Sequence, residues 1–221
     1  MSPSQNSKKV LILGAHPDDE TLGCGGTICR LAREGHEIQL LTFTDGTSSR
    51  EGHQISRTPK LQKVCEMLGI SHYTSGEFPD NALDSVPLLQ LCKFIEENVS
   101  TTPDMVFTHF QEDLNVDHQL VTKAALTAFR PQFGLRMEIY SYYVPSATDY
   151  ASGRPFNGNS YMILKRQDVE KKLQVLKCYE EEMRTYPHSR SYENVENLMK
   201  VWGAEVGAQY CEKFELLRMV G

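Results

Sequence analysis

Apolar and polar residues follow one another with two alternating periods along the first two thirds of the chain. Short, nearly continuous apolar runs predict buried strands, and between them apolar residues recur every three or four positions, as on one side of a helix. The predicted strands are 8–15, 37–44, 104–109 and 138–144, with a short one near 72–74. The predicted helices lie within 25–36, from Thr58 onwards, and at 85–99 and 117–131. Such alternation predicts an α/β fold, a Rossmann-like three-layer sandwich with a mostly parallel sheet and helices on both faces.

The pattern changes in the last third of the chain. A loop-like stretch at 146–161 precedes two amphipathic helices, predicted at 168–183 and 193–210, and a closing strand at 211–220. The chain has no internal repeat and no low-complexity linker, so we expect a single domain over residues 1–221.

Composition and charge narrow the class of protein. With 29 acidic and 23 basic residues the net charge is −6, which disfavours a nucleic-acid partner. No apolar run approaches the roughly 18 residues of a membrane span, and the N-terminal segment does not resemble a secretory signal. The six cysteines form no CxxC pair, which suits a reduced cytoplasm. We expect a cytoplasmic protein; an apolar helix face in the last sixty residues fits either a homo-oligomer or packing on the sheet.

An unusual concentration of charge follows the first strand. The stretch LILGAHPDDETLGCGGT (11–27) places Asp18, Asp19 and Glu20 next to one another, just after His16 and Pro17. Adjacent carboxylates repel, and the nearby proline and glycines disfavour a helix, so we expect a loop. Because it follows a parallel strand, this loop should face the crevice at the carboxyl edge of the sheet.

A second polar motif, DLNVDH (113–118), follows a later strand and can reach the same crevice. It adds Asp113, Asp117 and His118. Imidazole nitrogens and carboxylate oxygens are the ligands that zinc accepts, and a catalytic zinc site keeps one position open for water. A bound divalent cation would also offset the repulsion among the acids.

Structural explanations exist for each of these features taken alone. An acid after a strand can cap the next helix, and Asp117 fits that role. The GCGG sequence can simply permit a tight turn from strand to helix. Capping needs one acid, however, whereas the first loop has three acids and a histidine.

The same residues carry a family resemblance. AHPDDE (15–20) after a first strand, followed by GCGG and later by an xDH motif, resembles the LmbE/PIG-L family of metal-dependent N-deacetylases. Weaker similarity extends to DGTSSR (45–50), PHSRS (187–191) and the closing GAEVGAQYCEKFELLR (203–218), so the resemblance covers most of the chain.

The resemblance implies a set of residue roles. His16, Asp19 and His118 would ligate the metal, usually zinc, although Fe²⁺ or another divalent ion can occupy such a site. Asp18 would be the general base, and Glu20 would support the ligands without touching the metal. Zinc lowers the pKa of bound water to about 7, and Asp18 could take the proton and later deliver it to the leaving amine.

One position departs from the family pattern. Many members read HPDH at the second motif, and the first histidine there is thought to help hold the oxyanion; this chain has Asn115 in its place. Asn115 can act as a neutral donor, or His109 or His188 can take the role. His109 can equally be a packed strand-end residue and His188 a surface residue. Asp117 completes the set of candidate catalytic residues.

The expected reaction is removal of the N-acetyl group from a small N-acetylated amino sugar or sugar conjugate. Candidate substrate-binding residues are Arg50, Asp80 and Arg190, although such residues also fill ordinary turns. An alternative is an amidase of the same family acting on a non-sugar or non-acetyl amide. Two other classes remain: a nucleotide-binding oxidoreductase, disfavoured because GxGxxG is missing, and a non-catalytic metal-binding member, disfavoured by the retention of Asp18.

Overall fold

The computed structural model describes residues 7–46, 58–132 and 136–220. One sheet runs through it, with the strands β1 (Lys9–Gly14), β2 (Glu37–Thr42), β3 (His72–Ser75), β4 (Met105–His109), β5 (Glu138–Tyr142), β6 (Ser160–Ile163) and β7 (Cys211–Met219). The helices are α1 (Asp19–Arg33), α2 (Thr58–Leu68), α3 (Leu88–Asn98), α4 (Val116–Ala128), α5 (Arg166–Leu176) and α6 (Tyr192–Glu205).

The strand order is β3-β2-β1-β4-β5-β7-β6. The first five of these strands are parallel neighbours, and β7 runs antiparallel between β5 and β6. At the centre of the sheet Ile12 of β1 pairs with Leu40 on one side and Phe107 on the other. Because β1 and β4 are central, the loops that follow them open side by side at the carboxyl edge.

Each face of the sheet is covered by helices. In β1, Val10 and Ile12 pack towards α1, α2, α5 and α6, whereas Leu11 and Leu13 pack towards α3 and α4. A central parallel strand buried on both faces reads as a continuous apolar run, as β1 does. The predicted three-layer α/β sandwich with a mostly parallel sheet is therefore confirmed.

Several element boundaries differ from those predicted. Helix α1 begins at Asp19, so Asp19 and Glu20 lie in its first turn and the loop predicted for them is wrong. Acidic side chains are favoured at a helix N-terminus, where unpaired amides and the helix dipole attract negative charge. The stretch predicted as one helix at 168–183 is α5 followed by a 3₁₀ helix at Lys177–Glu182, and β6 was not predicted.

None of the helices in the described ranges combines the length and the hydropathy needed to cross a membrane.

Candidate metal centre and active site

The loop after β1 has a constrained backbone. Asp18 adopts φ = 131°, a conformation that costs a non-glycine residue about 1–3 kcal/mol and persists only where the surroundings hold it. Its backbone N–H donates to Oε2 of Glu20 at 3.0 Å. Oε1 of Glu20 accepts from the hydroxyls of Thr21 (2.6 Å) and Tyr179 (3.1 Å). Glu20 thus holds the turn that carries Asp18.

Three buried side chains converge beside this turn. His16 is 7% exposed, and Asp19 and His118 are each 1% exposed. Oδ1 of Asp19 lies 3.4 Å from Nε2 of His118, and Oδ2 of Asp19 lies 3.3 Å from Nδ1 of His16. Oδ2 also accepts the backbone N–H of His16 at 2.8 Å, which fixes the rotamer of Asp19. The predicted trio is therefore brought together from the loop after β1 (His16), the start of α1 (Asp19) and α4 (His118).

The donor atoms of this trio suit a metal ion. All three lie within 4.8 Å of one another. Ligands bound at 2.0–2.1 Å in a tetrahedron lie about 3.4 Å apart, close to the observed spacing. Oδ1 of Asp19 is buried and has no hydrogen-bond partner among the described residues, an arrangement that is costly unless a cation or proton occupies the site. The residues therefore fit the ion that the family resemblance implies.

A second set of carboxylates stands behind the two histidines. Nε2 of His16 lies 3.1 Å from both Oδ2 of Asp117 and Oδ1 of Asp80. Nδ1 of His118 lies 3.3 Å from Oδ2 of Asp113, which also accepts the hydroxyl of Thr148. Carboxylates behind metal-binding imidazoles set their tautomer and orientation.

A second set of side chains, His16, Asp80 and Asp117, also lies close enough to hold a metal ion. Hydrogen bonds from His16 to the two carboxylates explain this proximity without a second ion. A neutral imidazole keeps a proton on one nitrogen, so His16 can present Nδ1 to a metal while Nε2–H donates to the carboxylates. Oδ1 of Asp117 is held in turn by the backbone N–H of Leu83 at 3.0 Å. Asp80, expected to bind substrate, is 7% exposed and lies against His16.

Burial and neighbouring groups shift the pKa values of the side chains in this cluster. Burial opposes a charge on His16, but hydrogen bonds to Asp117 and Asp19 raise its pKa to about 10. Burial likewise opposes a charge on His118, yet the nearby Asp19 raises the pKa to about 9. Burial works against ionisation of Asp19, and the charge of His118 overrides it and holds the pKa well below its usual value. Burial, reinforced by the charges of Asp18 and Asp19, raises the pKa of Glu20 to about 7.

His109 lies beneath the trio, and its two nitrogens do not reach the crevice surface. The side chain is fully buried, and its ring stacks on that of His118 with centroids 3.8 Å apart. Nε2 accepts the backbone N–H of Ala15 at 2.9 Å and lies 3.1 Å from the hydroxyl of Tyr142. Burial and the charge of His118 hold its pKa well below the usual value, so His109 is neutral.

Arg190 reaches the general-base candidate from the loop before α6. Its Nη1 donates to Oδ2 of Asp18 at 3.2 Å, and its Nε donates to Oγ of Ser146 (2.7 Å) and the carbonyl of Pro145 (3.1 Å). Nδ1 of His188 accepts the backbone N–H of Arg190 at 3.0 Å. The predicted Arg190 therefore contacts Asp18 directly, and His188 contacts the backbone of Arg190, whereas Arg50 lies outside the described residues.

Asn115 is the residue that caps α4. Its Oδ1 accepts the backbone N–H of Asp117 at 2.8 Å, so the cap is Asn115 and not Asp117. Among the described residues, its Nδ2 makes a single long contact, 3.5 Å, with Oδ1 of Asn81. The side chain is half-buried, and Asn115 stands between Asp113 and Asp117, the residues that contact His118 and His16.

Some contributing residues were not predicted. Tyr179, which supports Glu20, and Tyr142, which donates to the carbonyl of Leu13 at 2.6 Å, belong to no recognisable motif. The packing roles of these tyrosines depend on tertiary contacts between residues more than 100 positions apart, which local sequence patterns do not reveal.

Comparison with known proteins agrees with the family resemblance seen in the sequence. Residues 11–129, more than half of the 221, match the family described as GlcNAc-PI de-N-acetylase, PIG-L. The chain belongs to this family. The matched range of this PIG-L family member contains the trio, Asp18 and Asn115, whereas Arg190 lies outside it.

Individual proteins similar to this family member are named as deacetylases. The uncharacterized deacetylase YaiS of Escherichia coli (strain K12) is 30% identical over 155 residues, covering 66% of this chain and 79% of the relative. A diacetylchitobiose deacetylase from Thermococcus kodakarensis is 33% identical over 88 residues, 37% of this chain and 33% of the relative. The structure of N,N'-diacetylchitobiose deacetylase from Pyrococcus horikoshii shares the fold, with a TM-score of 0.73, 21% identity and coverage of 98% and 86% of the two chains.

Proposed function

We propose that this protein is a metal-dependent hydrolase that removes the N-acetyl group from an N-acetylated amino sugar or sugar conjugate. The observation that carries the proposal is the convergence of His16, Asp19 and His118 beside Asp18, which is placed next to a ligand without belonging to the trio. Similarity to deacetylases, one of them named for a sugar substrate, supports the substrate class.

The residues divide into ligands and proton carriers. His16, Asp19 and His118 would hold zinc or another divalent ion, which supplies a Lewis acid and lowers the pKa of water when bound. Asp18 accepts a proton from the attacking water and passes it to the leaving amine, which requires a carboxylate held within reach of both. Arg190 orients Asp18 through a charged hydrogen bond.

We further propose Asn115 as the donor to the oxyanion. Its Oδ1 is engaged in the helix cap, whereas its Nδ2 makes, within the described ranges, just the long contact to Asn81 and would be available to a substrate oxygen. His109 is less suited, because it is fully buried below the trio and Nε2 already accepts a backbone amide.

The first experiment measures free amine released from a panel of N-acetyl sugars and conjugates, together with the metal content of the same sample. Amine release that a chelator abolishes and zinc restores is the expected result. Asp18→Asn should keep the metal and lose the activity, whereas Glu97→Gln, a change at an exposed acid near the C-terminal end of α3, should alter neither. Absence of bound metal after addition of zinc would contradict the proposed centre, and silence on every sugar with metal bound would favour a non-sugar amide.

A separate pair of variants tests the oxyanion donor. Asn115→Asp keeps an oxygen that can cap α4 and removes the NH₂ group, and loss of one such donor costs about 10²–10³ in kcat. Asn115→Ser also keeps a capping oxygen, without adding charge, and serves as the control for the added carboxylate. An unchanged kcat in both variants, with a large loss in His188→Ala, would move the role to the histidine.

A further inference from the structure

Helix α1 is interrupted in the middle of GCGG. Cys24 has φ = −142° and ψ = 22°, far from helical values, while the residues on both sides are helical. The interruption leaves a first turn, residues 19–23, that carries Asp19 and Glu20, and a longer second part. The tight turn that the sequence permits at GCGG is here an interruption within the helix.

A buried ion pair lies against the interruption. Nζ of Lys172, on α5, is 2.7 Å from Oε1 of Glu212, on β7, and the two residues are 2% and 0% exposed. Nζ of Lys172 also donates to the carbonyl of Leu22 at 2.8 Å. The carboxylate of Glu212 accepts the backbone N–H groups of Gly26 (3.0 Å) and Thr27 (2.7 Å).

The ion pair satisfies backbone groups on both sides of the interruption. In a continuous α-helix the carbonyl of Leu22 would be the acceptor for the N–H of Gly26. Here the carbonyl has an ammonium as its partner and the N–H has a carboxylate. A cation at a helix C-terminus and an anion at a helix N-terminus are each the favoured charge, so one ion pair caps the first turn and the second part at the same time.

The glycines of GCGG make room for this arrangement. A Cβ atom on Gly26 would lie 3.2 Å from Oε1 of Glu212 and 2.5 Å from Cδ1 of Leu164. A Cβ on Gly25 would lie 3.2 Å from Cγ of Lys172. The ion pair therefore requires small residues at the interruption, which links GCGG to a glutamate almost 190 residues further along the chain.

We propose that Lys172 and Glu212 are positioning residues for the metal centre. Lys172 holds the end of the first turn at Leu22, three residues after Asp19, and Glu212 holds the start of the second part. Together they fix the orientation of the first turn of α1. This orientation directs the side chain of Asp19 towards His118 and that of Glu20 towards the backbone of Asp18. This inference rests on the proposed function, because it assigns Asp19 as a ligand.

The test is a double variant, Lys172→Met with Glu212→Gln, which removes both charges and leaves neither ion unpaired. Co²⁺ binding to the purified apoprotein is followed by visible absorption, whose bands report the geometry and number of ligands. We expect Co²⁺ affinity to fall by about 10- to 100-fold, as when groups behind metal ligands are removed, with altered Co²⁺ bands. In the apoprotein, hydrogen exchange should accelerate at the amides of residues 19–23.

The matched control is Arg33→Met. It removes another ion pair between α1 and α5, Arg33 with Asp168 at 3.0 Å, at the far end of α1 from the interruption. This variant should keep the Co²⁺ affinity, the absorption bands and the exchange rates of the wild type. If the double variant does not fold, Glu212→Asp, which keeps the charge and shortens its reach, should show the same change in the Co²⁺ bands.

Two outcomes would overturn the inference, and they are distinguishable. A folded double variant with wild-type Co²⁺ affinity and bands would show that the ion pair stabilises the fold without positioning the ligands. Wild-type protein that binds no Co²⁺ would instead remove the proposed metal centre, and this inference with it.

Discussion

Metal binding by this protein should release protons in a defined number. Before a metal binds, His16 and His118 have pKa values raised to about 10 and about 9, so both imidazoles are protonated at pH 7. A metal requires each histidine to offer a neutral nitrogen. Asp19 is already ionised, since its pKa is well below the usual value. Binding of one zinc ion at pH 7 should therefore release about two protons.

The energetic size of this effect follows from the same values. Each pH unit below a pKa corresponds to about 1.4 kcal/mol, so deprotonating both histidines at pH 7 costs about 7 kcal/mol of binding free energy. The cost shrinks as pH rises towards the two pKa values. Apparent affinity should thus increase about a hundredfold per pH unit between pH 6 and 8, and level off above pH 9 to 10.

Isothermal titration calorimetry measures the proton count directly. The apoprotein is titrated with zinc in two buffers of different ionisation enthalpy, and the difference in observed enthalpy gives the number of protons released. His72→Asn, a change at an exposed histidine on β3, should leave the count unchanged. Equal enthalpies in the two buffers would refute the assignment of His16 and His118 as protonated ligands.

Three further predictions follow from individual contacts. Asp18→Asn should lower kcat by about 10²–10⁴-fold while metal content, measured by atomic absorption, stays the same, because it removes a proton carrier and no ligand. The pKa of Glu20 is about 7 in the folded protein, above its ordinary 4.5, so the folded state holds this proton more tightly than the unfolded state. As pH rises from 4.5 to 7, the free energy of unfolding of the wild type should therefore fall by up to about 3 kcal/mol relative to that of Glu20→Gln. Denaturant titrations in which both proteins show the same pH dependence would contradict this. Gly23→Ala should destabilise the fold by about 1–3 kcal/mol, since its Cβ would lie 2.2 Å from the ring of Tyr142, and an unchanged Tm would show that the ring moves aside at no cost.

Local patterns were sufficient for the central layers of the fold. The buried strands β1, β2 and β4 are nearly continuous apolar runs, and each is followed by a segment with helical periodicity, so their parallel arrangement could be predicted. The four-residue strand β6 has no such signal because it lies at the sheet edge, partly exposed. The start of α1 differs from the prediction because the stabilisation that acids gain at a helix N-terminus outweighs their mutual repulsion.

The sequence points to the proposed ligands of the candidate site but not to the residues that support them. His16, Asp19 and His118 stand in two compact motifs, and any parallel sheet of this order brings the two loops together. Asp80 lies in a turn-like stretch whose only sequence signal is a common turn composition, and its contact with His16 depends on the path of the chain after β3. Glu212 and Lys172 are ordinary charged residues in the sequence, and only the packing of β7 and α5 against α1 reveals that they are buried.

The placement of the ligands on the chain has a consequence for the durability of the fold. His16 and Asp19 stand near the start of the chain and His118 about 100 residues later, so a metal held by all three acts as a cross-link that closes a long loop. In the simplest model, closing a loop of that length lowers the entropy of the unfolded chain and thereby stabilises the fold by about 4–5 kcal/mol. The two central strands that precede these ligands can then separate only if the metal leaves first. Chelation should therefore expose the middle of the chain to proteases well before the temperature at which the metal-loaded protein unfolds.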